Sequence, residues 1–78
     1  MYFVYLIQSL TDPEQIYTGY TEDLKKRLSE HNAGITFHTS KYIPWKLVTN
    51  VAFSNKSKAI EFEKFLKSGS GRVFAKLI

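Results

Sequence analysis

Residues 2–7, Tyr-Phe-Val-Tyr-Leu-Ile, are apolar or aromatic at every position, and the run stops at Gln8. Such a run without polar alternation predicts a strand covered on both faces, hence a central strand. Thr11-Asp12-Pro13 supplies turn chemistry, because Asp bonds its own backbone two residues on and Pro presets φ. Residues 16–20 then resume an extended pattern, so the first third of the chain predicts an antiparallel hairpin. Folded about residue 11, that hairpin would set Tyr5 and Tyr17 roughly opposite each other.

From Thr21 the period changes. Thr21 is the expected N-cap of a helix with Glu22 and Asp23 in its first turn, Leu24 and Leu28 on its apolar stripe, and Gly34 as its stop. Residues 34–44 lose periodicity and gather His38, Thr39, Ser40 and Lys41, which predicts a polar loop. Trp45–Phe53 predicts a third strand. Ser54 or Asn55 would cap a second helix running to about Lys67, and Gly69 and Gly71 break it before a last segment over residues 72–78.

Composition narrows the chemistry. Seventy-eight residues make one small domain, and twelve aromatics give it core material without disulfides. The absence of cysteine excludes thiolate zinc sites and cysteine nucleophiles, and fits a cytoplasmic setting. The longest apolar run is far short of the ~20 residues that span a bilayer, so no membrane role is expected. A net charge of +4 favours a polyanionic partner such as nucleic acid.

Candidate chemistry clusters on two helices. Arg27 and His31, four residues apart, fall beside the Leu24/Leu28 stripe, whereas Lys25 and Lys26 fall on the outer face. On the second helix Ala59, Phe62 and Leu66 define an apolar stripe, and Glu63 falls on that side. A carboxylate so placed needs a cation, a metal or several donors. The alternatives are an ion pair with Arg27, His31 or a lysine, and a hard cation such as magnesium, which needs only one or two protein carboxylates. Glu61, beside Lys58 and Lys64, is expected to be a surface partner. Gly19, inside a strand and two residues beyond Tyr17, suggests close approach of a ligand or another backbone, and leaves room beside Tyr17.

The ordered set Phe3-Val4-Tyr5, Ile16-Tyr17-Thr18-Gly19, Arg27 with His31, and Phe62-Glu63 resembles the GIY-YIG endonuclease superfamily. It is most similar to small single-domain bacterial members related to the nuclease module of the excision-repair incision subunit. Pro44-Trp45-Lys46-Leu47 and Leu66-Lys67-Ser68-Gly69 also have counterparts there. Only the tyrosine of Gly-Ile-Tyr is kept, and Thr18 replaces the isoleucine of Tyr-Ile-Gly.

The resemblance implies an α+β domain over residues 1–78, a three-stranded antiparallel sheet flanked by helices. It implies a metal-dependent DNA endonuclease that hydrolyses phosphodiesters with one cation, Mg²⁺ or Mn²⁺, in DNA repair or recombination. In that scheme Glu63 binds the metal, Tyr17 or Tyr5 deprotonates the attacking water, Arg27 contacts the phosphate, and His31 orders the water or relays a proton. Gly19 gives Tyr17 the preference. Gly19, His38, Thr39 and Lys41 would face the DNA substrate. The alternative is a non-catalytic nucleic-acid-binding module of the same fold.

Overall fold

The computed structural model describes residues 1–71, and the expected last segment over residues 72–78 lies outside them. The element order is β1 (Tyr2–Ser9), β2 (Ile16–Thr21), α1 (Leu24–Asn32), α2 (Phe37–Ser40), β3 (Trp45–Phe53) and α3 (Lys56–Lys67). The three strands form one antiparallel sheet in the order β2-β1-β3, so the continuous apolar run is the central strand, as its pattern demands. Its alternate side chains feed two separate cores. Val4 and Leu6 pack with Ala59 and Leu66 of α3, whereas Tyr5 and Ile7 pack with Trp45, Leu24 and Leu28 on the α1 side. Full burial of each aliphatic side chain contributes about 1.5–3 kcal/mol, which ties both helix layers to this one strand.

The hairpin register differs from a fold about residue 11. Tyr5 pairs with Gly19, and Tyr17 pairs with Ile7, so the two tyrosines share a face but sit diagonally. The turn falls one residue later because Ser9 Oγ accepts from the Thr11 and Asp12 amides and donates to the Tyr42 carbonyl. Asp12 Oδ1 in turn accepts from the Glu14 amide at 3.3 Å, two residues on, as its residue type predicts. Against β3, the register slips between Leu6 and Ile7, a bulge that leaves Val48 without a Cα partner on β1.

Thr21 is not the N-cap of α1. It ends β2, and its hydroxyl is spent on Asp23, accepting from that amide and donating to that carbonyl. Asp23 takes the cap, with extended backbone and a side chain that accepts from Lys26 N at 3.1 Å. The helix therefore starts at Leu24 with no acid in its first turn. Gly34 follows the Ala33 C-cap with φ +76°, the left-handed conformation that glycine tolerates without penalty.

The predicted polar loop also needs revision, since residues 37–40 form the short helix α2. Asn32 clamps the strand that follows. Its Oδ1 accepts from the Trp45 amide and its Nδ2 donates to the Trp45 carbonyl. Trp45 Nε1 then donates to the Thr39 carbonyl at 2.8 Å, which fixes α2 against α1. At α3, Asn55 is the cap, accepting from Lys58 N.

Candidate active site

The site is assembled around Tyr5, which is 2% exposed although it carries a polar group. Its phenol reaches across β2 at Gly19. A Cβ built on Gly19 would overlap the Tyr5 hydroxyl and Cζ, so the glycine makes room for Tyr5, not for Tyr17 or a ligand. That corrects both the preference for Tyr17 based on Gly19 and the placing of Gly19 among substrate contacts. The ring of Tyr17 lies 6.5 Å from that of Tyr5, and both rings face His31, at 5.2 and 5.9 Å between centroids.

His31 is buried, and both of its ring nitrogens are engaged. Nε2 is 2.9 Å from the Tyr5 hydroxyl, and Nδ1 is 2.8 Å from Thr39 Oγ1. Thr39 Oγ1 donates to the Thr36 carbonyl at 3.4 Å, so it is free to accept from Nδ1–H. With Nδ1–H donating to Thr39, the neutral imidazole has Nε2 as its acceptor, which takes the phenol proton of Tyr5. The pattern assigns a directed chain, Tyr5 O–H to Nε2, then Nδ1–H to Thr39, then Thr39 O–H to Thr36.

Electrostatics agree with that direction. Burial pushes the Tyr5 phenol up to about 12, with Tyr17 adding to the rise, and the nearby Arg27 guanidinium offsets only part of it. Tyr5 is therefore a proton donor at rest and not a ready phenolate. The Arg27 guanidinium lowers the phenol, but burial is the larger and opposing effect. His31 is lowered, first by burial and then by Arg27, so its imidazole is neutral near pH 7.

Thr39 thus acts inward. Buried at 1% exposure, it is the hydrogen-bond partner of His31. His38 and Lys41 do face outward, on a cleft that Tyr17 and Thr39 also line. Arg27 is half-exposed and pairs with Glu30 at 3.1 Å. Lys25 and Lys26 are exposed, and Lys58–Glu61 is a solvent-facing pair, as their helix positions predict.

Glu63 lies on α3 and its Oε2 accepts from Lys67 Nζ at 3.1 Å, one turn along the helix. Lys67 also reaches the ring of Tyr17, 5.8 Å from its centroid, so the pair adjoins the tyrosine cluster. The negative charge of Glu63 is felt at Tyr5 as a further upward push. Among the described residues no group of three or more His, Cys, Asp or Glu could hold a metal. A cage made by protein alone does not fit. A magnesium-type cation, held by one carboxylate and completed by water and phosphate oxygens, does.

Sequence reasoning missed Asn32 and the structural role of Trp45, and its alternative of a lysine paired with Glu63 did not single out Lys67. The i,i+4 spacing of Glu63 and Lys67 was a usable signal. The clamp from Asn32 to Trp45 spans thirteen residues and leaves no local pattern.

A small sheet that buries a tyrosine–histidine pair on one side and carries a carboxylate on a flanking helix makes a compact α+β domain. The chain matches the GIY-YIG catalytic domain over residues 1–76 and belongs to that family. Among its relatives, the UPF0213 protein YsiG of Lactococcus lactis is 40% identical over 67 residues, covering 85% of this chain and 62% of its own. A UPF0213 protein of Streptococcus agalactiae is 42% identical over 53 residues, covering 67% and 60% respectively. The solution structure of a UPF0213 protein from Bacillus halodurans superposes with a TM-score of 0.58 at 32% identity, covering 99% of this chain and 82% of that one. The chain spans 60–66% of the length of the first three such sequence relatives. No helix among the described residues is long and apolar enough to cross a membrane.

Proposed function

We propose that the chain is a metal-dependent DNA endonuclease that hydrolyses phosphodiester bonds, working in the cytoplasm in DNA repair or recombination. The observation that carries this reading is the directed chain from Tyr5 through His31 to Thr39, set beside Arg27. A neutral imidazole accepting from a phenol that keeps its proton is arranged to move that proton.

Arg27 binds the scissile phosphate and stabilises the charge that builds on it. Water held against Tyr5 gives its proton to the phenol oxygen while the phenol proton passes to His31 Nε2. The water oxygen bonds to phosphorus, the bond to the 3′ oxygen breaks and that oxygen takes a proton from solvent, and His31 leaves the step as an imidazolium whose Nδ1–H stays on Thr39 and whose extra proton returns to solvent. Phosphate on Arg27 offsets the positive charge that lowers His31 at rest, so substrate binding makes the imidazole a better acceptor. Tyr17 orients the water beside the shared ring cluster. Glu63 would hold Mg²⁺ or Mn²⁺, which supplies Lewis-acid polarisation of the phosphate and neutralises the departing oxygen. Lys67, released from Glu63, is then placed to pair with phosphate.

One observation favours the alternative, a nucleic-acid-binding module that does not cut. Glu63 is satisfied by Lys67 and needs no metal to be stable. The two readings separate on incubation with branched, single-stranded and duplex DNA in Mg²⁺, in Mn²⁺ and in chelator. The nuclease reading expects cuts that need the cation and vanish in Glu63→Gln, with 5′-phosphate ends. Binding without cuts in any condition supports the module.

A further inference from the structure

Beside the tyrosine cluster lies a cleft of about 410 Å³ whose walls include Gln15, Tyr17, Phe37, His38, Lys41 and Tyr42. Phe37 is 74% exposed, a large cost in unburied apolar surface for a residue in a four-residue helix. Lys41 Nζ sits 5.5 Å from the Phe37 ring centroid, and the His38 ring meets the same phenyl edge-on at 5.9 Å. Among the described residues no carboxylate lines the cleft. An exposed phenyl ring with a cation at hand and amide and imidazole donors nearby has the make-up of a stacking platform for a nucleobase.

We propose that this cleft receives one unstacked nucleobase of the DNA strand whose phosphate is presented to Arg27, with Phe37 as the stacking surface and Lys41 on the adjoining phosphate. The inference rests on the DNA-directed reading of the site and names its substrate class, DNA with an unpaired nucleotide next to the scissile bond. Tyr17 forms a wall of the cleft and part of the ring cluster around His31, so a base in the cleft lies next to the candidate site. The net charge of +4 suits a polyanionic strand. Bases paired and stacked inside a duplex present no free face to Phe37, so a continuous duplex cannot fill the cleft without extruding a nucleotide.

Binding in chelator tests the cleft apart from any cutting. Fluorescence anisotropy would compare a labelled single strand with a duplex of the same sequence, for the wild type, Phe37→Leu and Phe37→Trp. Phe37 is solvent-facing, so both variants are expected to fold, and circular dichroism checks this. The proposal expects the single strand to bind more tightly than the duplex. It expects Phe37→Leu to weaken the single strand by about tenfold and the duplex hardly at all, and Phe37→Trp to restore the preference. Equal losses on both ligands, no loss, or no DNA binding by the wild type would overturn it. Loss of cutting in Mg²⁺ with this preference intact counts against the nuclease reading alone.

Discussion

The two halves of the candidate site are built in opposite ways. On the α1 side of the sheet, Tyr5, His31 and Thr39 are each at most 2% exposed and hydrogen-bonded end to end. On α3, Glu63 and Lys67 form a partly exposed pair within one helix, with side-chain exposures of 21% and 51%. A buried polar chain costs stability if any member is lost, so the fold holds it in one geometry. An exposed ion pair is worth little to the fold and exchanges partners cheaply. On the proposed nuclease reading the buried half is thus preorganised for proton transfer, and the carboxylate half is left free to trade a lysine for a cation and a phosphate.

That contrast can be broken or sharpened by mutation. The largest effect expected is on cleavage: Glu63→Gln should lower the rate in Mg²⁺ by on the order of 1,000-fold or more, while its unfolding free energy in urea changes by less than about 1 kcal/mol. His31→Ala should do the reverse in stability. It opens a buried cavity and strands the Tyr5 and Thr39 hydroxyls, at a cost of about 3 kcal/mol in urea unfolding at unchanged m value. If both variants lose similar stability, the two halves are not built differently.

Thr39→Val comes next, at about 1–2 kcal/mol, because it keeps the volume but leaves Nδ1–H of His31 without its acceptor. It should also shift the pH profile of cleavage, which a purely structural role would not do. The smallest effect is pH dependence of stability. The folded pKa of His31 lies below its ordinary value of 6.5, so the unfolded chain binds more protons in that window. Stability is full above pH 6.5 and declines as pH falls below it. For Tyr5 the folded value is raised, so its contribution is present below pH 10 and is lost as pH rises from 10.0 towards about 12. Unfolding midpoints followed across pH 5–7 in wild type and in His31→Ala, where the lower-pH slope should vanish, check the first of these.

The sequence pattern carried the strands and the long helices because burial sets their periods. Tyr2–Ser9 had to be central, and Trp45–Phe53 was found at its observed limits. What escaped was set by contacts distant in sequence. The Thr21 hydroxyl could cap a helix or brace a turn, and its residue type serves either. Thr39 looks like a loop residue because its burial depends on Trp45 holding α2 down. Gly19 signalled a close approach correctly, yet only the register reveals that Tyr5 is the group approaching. The motif residues Tyr5, Tyr17, Arg27, His31 and Glu63 were legible as a set, but which of them are buried together was not.

The proposed proton path requires His31 to be a neutral Nδ1–H tautomer that accepts from Tyr5, and nitrogen-15 NMR of the ring reads this directly. At pH 7 the Nδ1 signal should be that of a protonated nitrogen and the Nε2 signal that of a hydrogen-bonded acceptor, with the Nε2 signal changing in Tyr5→Phe. An imidazolium at pH 7, or an Nε2–H tautomer, would contradict the directed chain and with it the proton path on which the proposed hydrolysis rests.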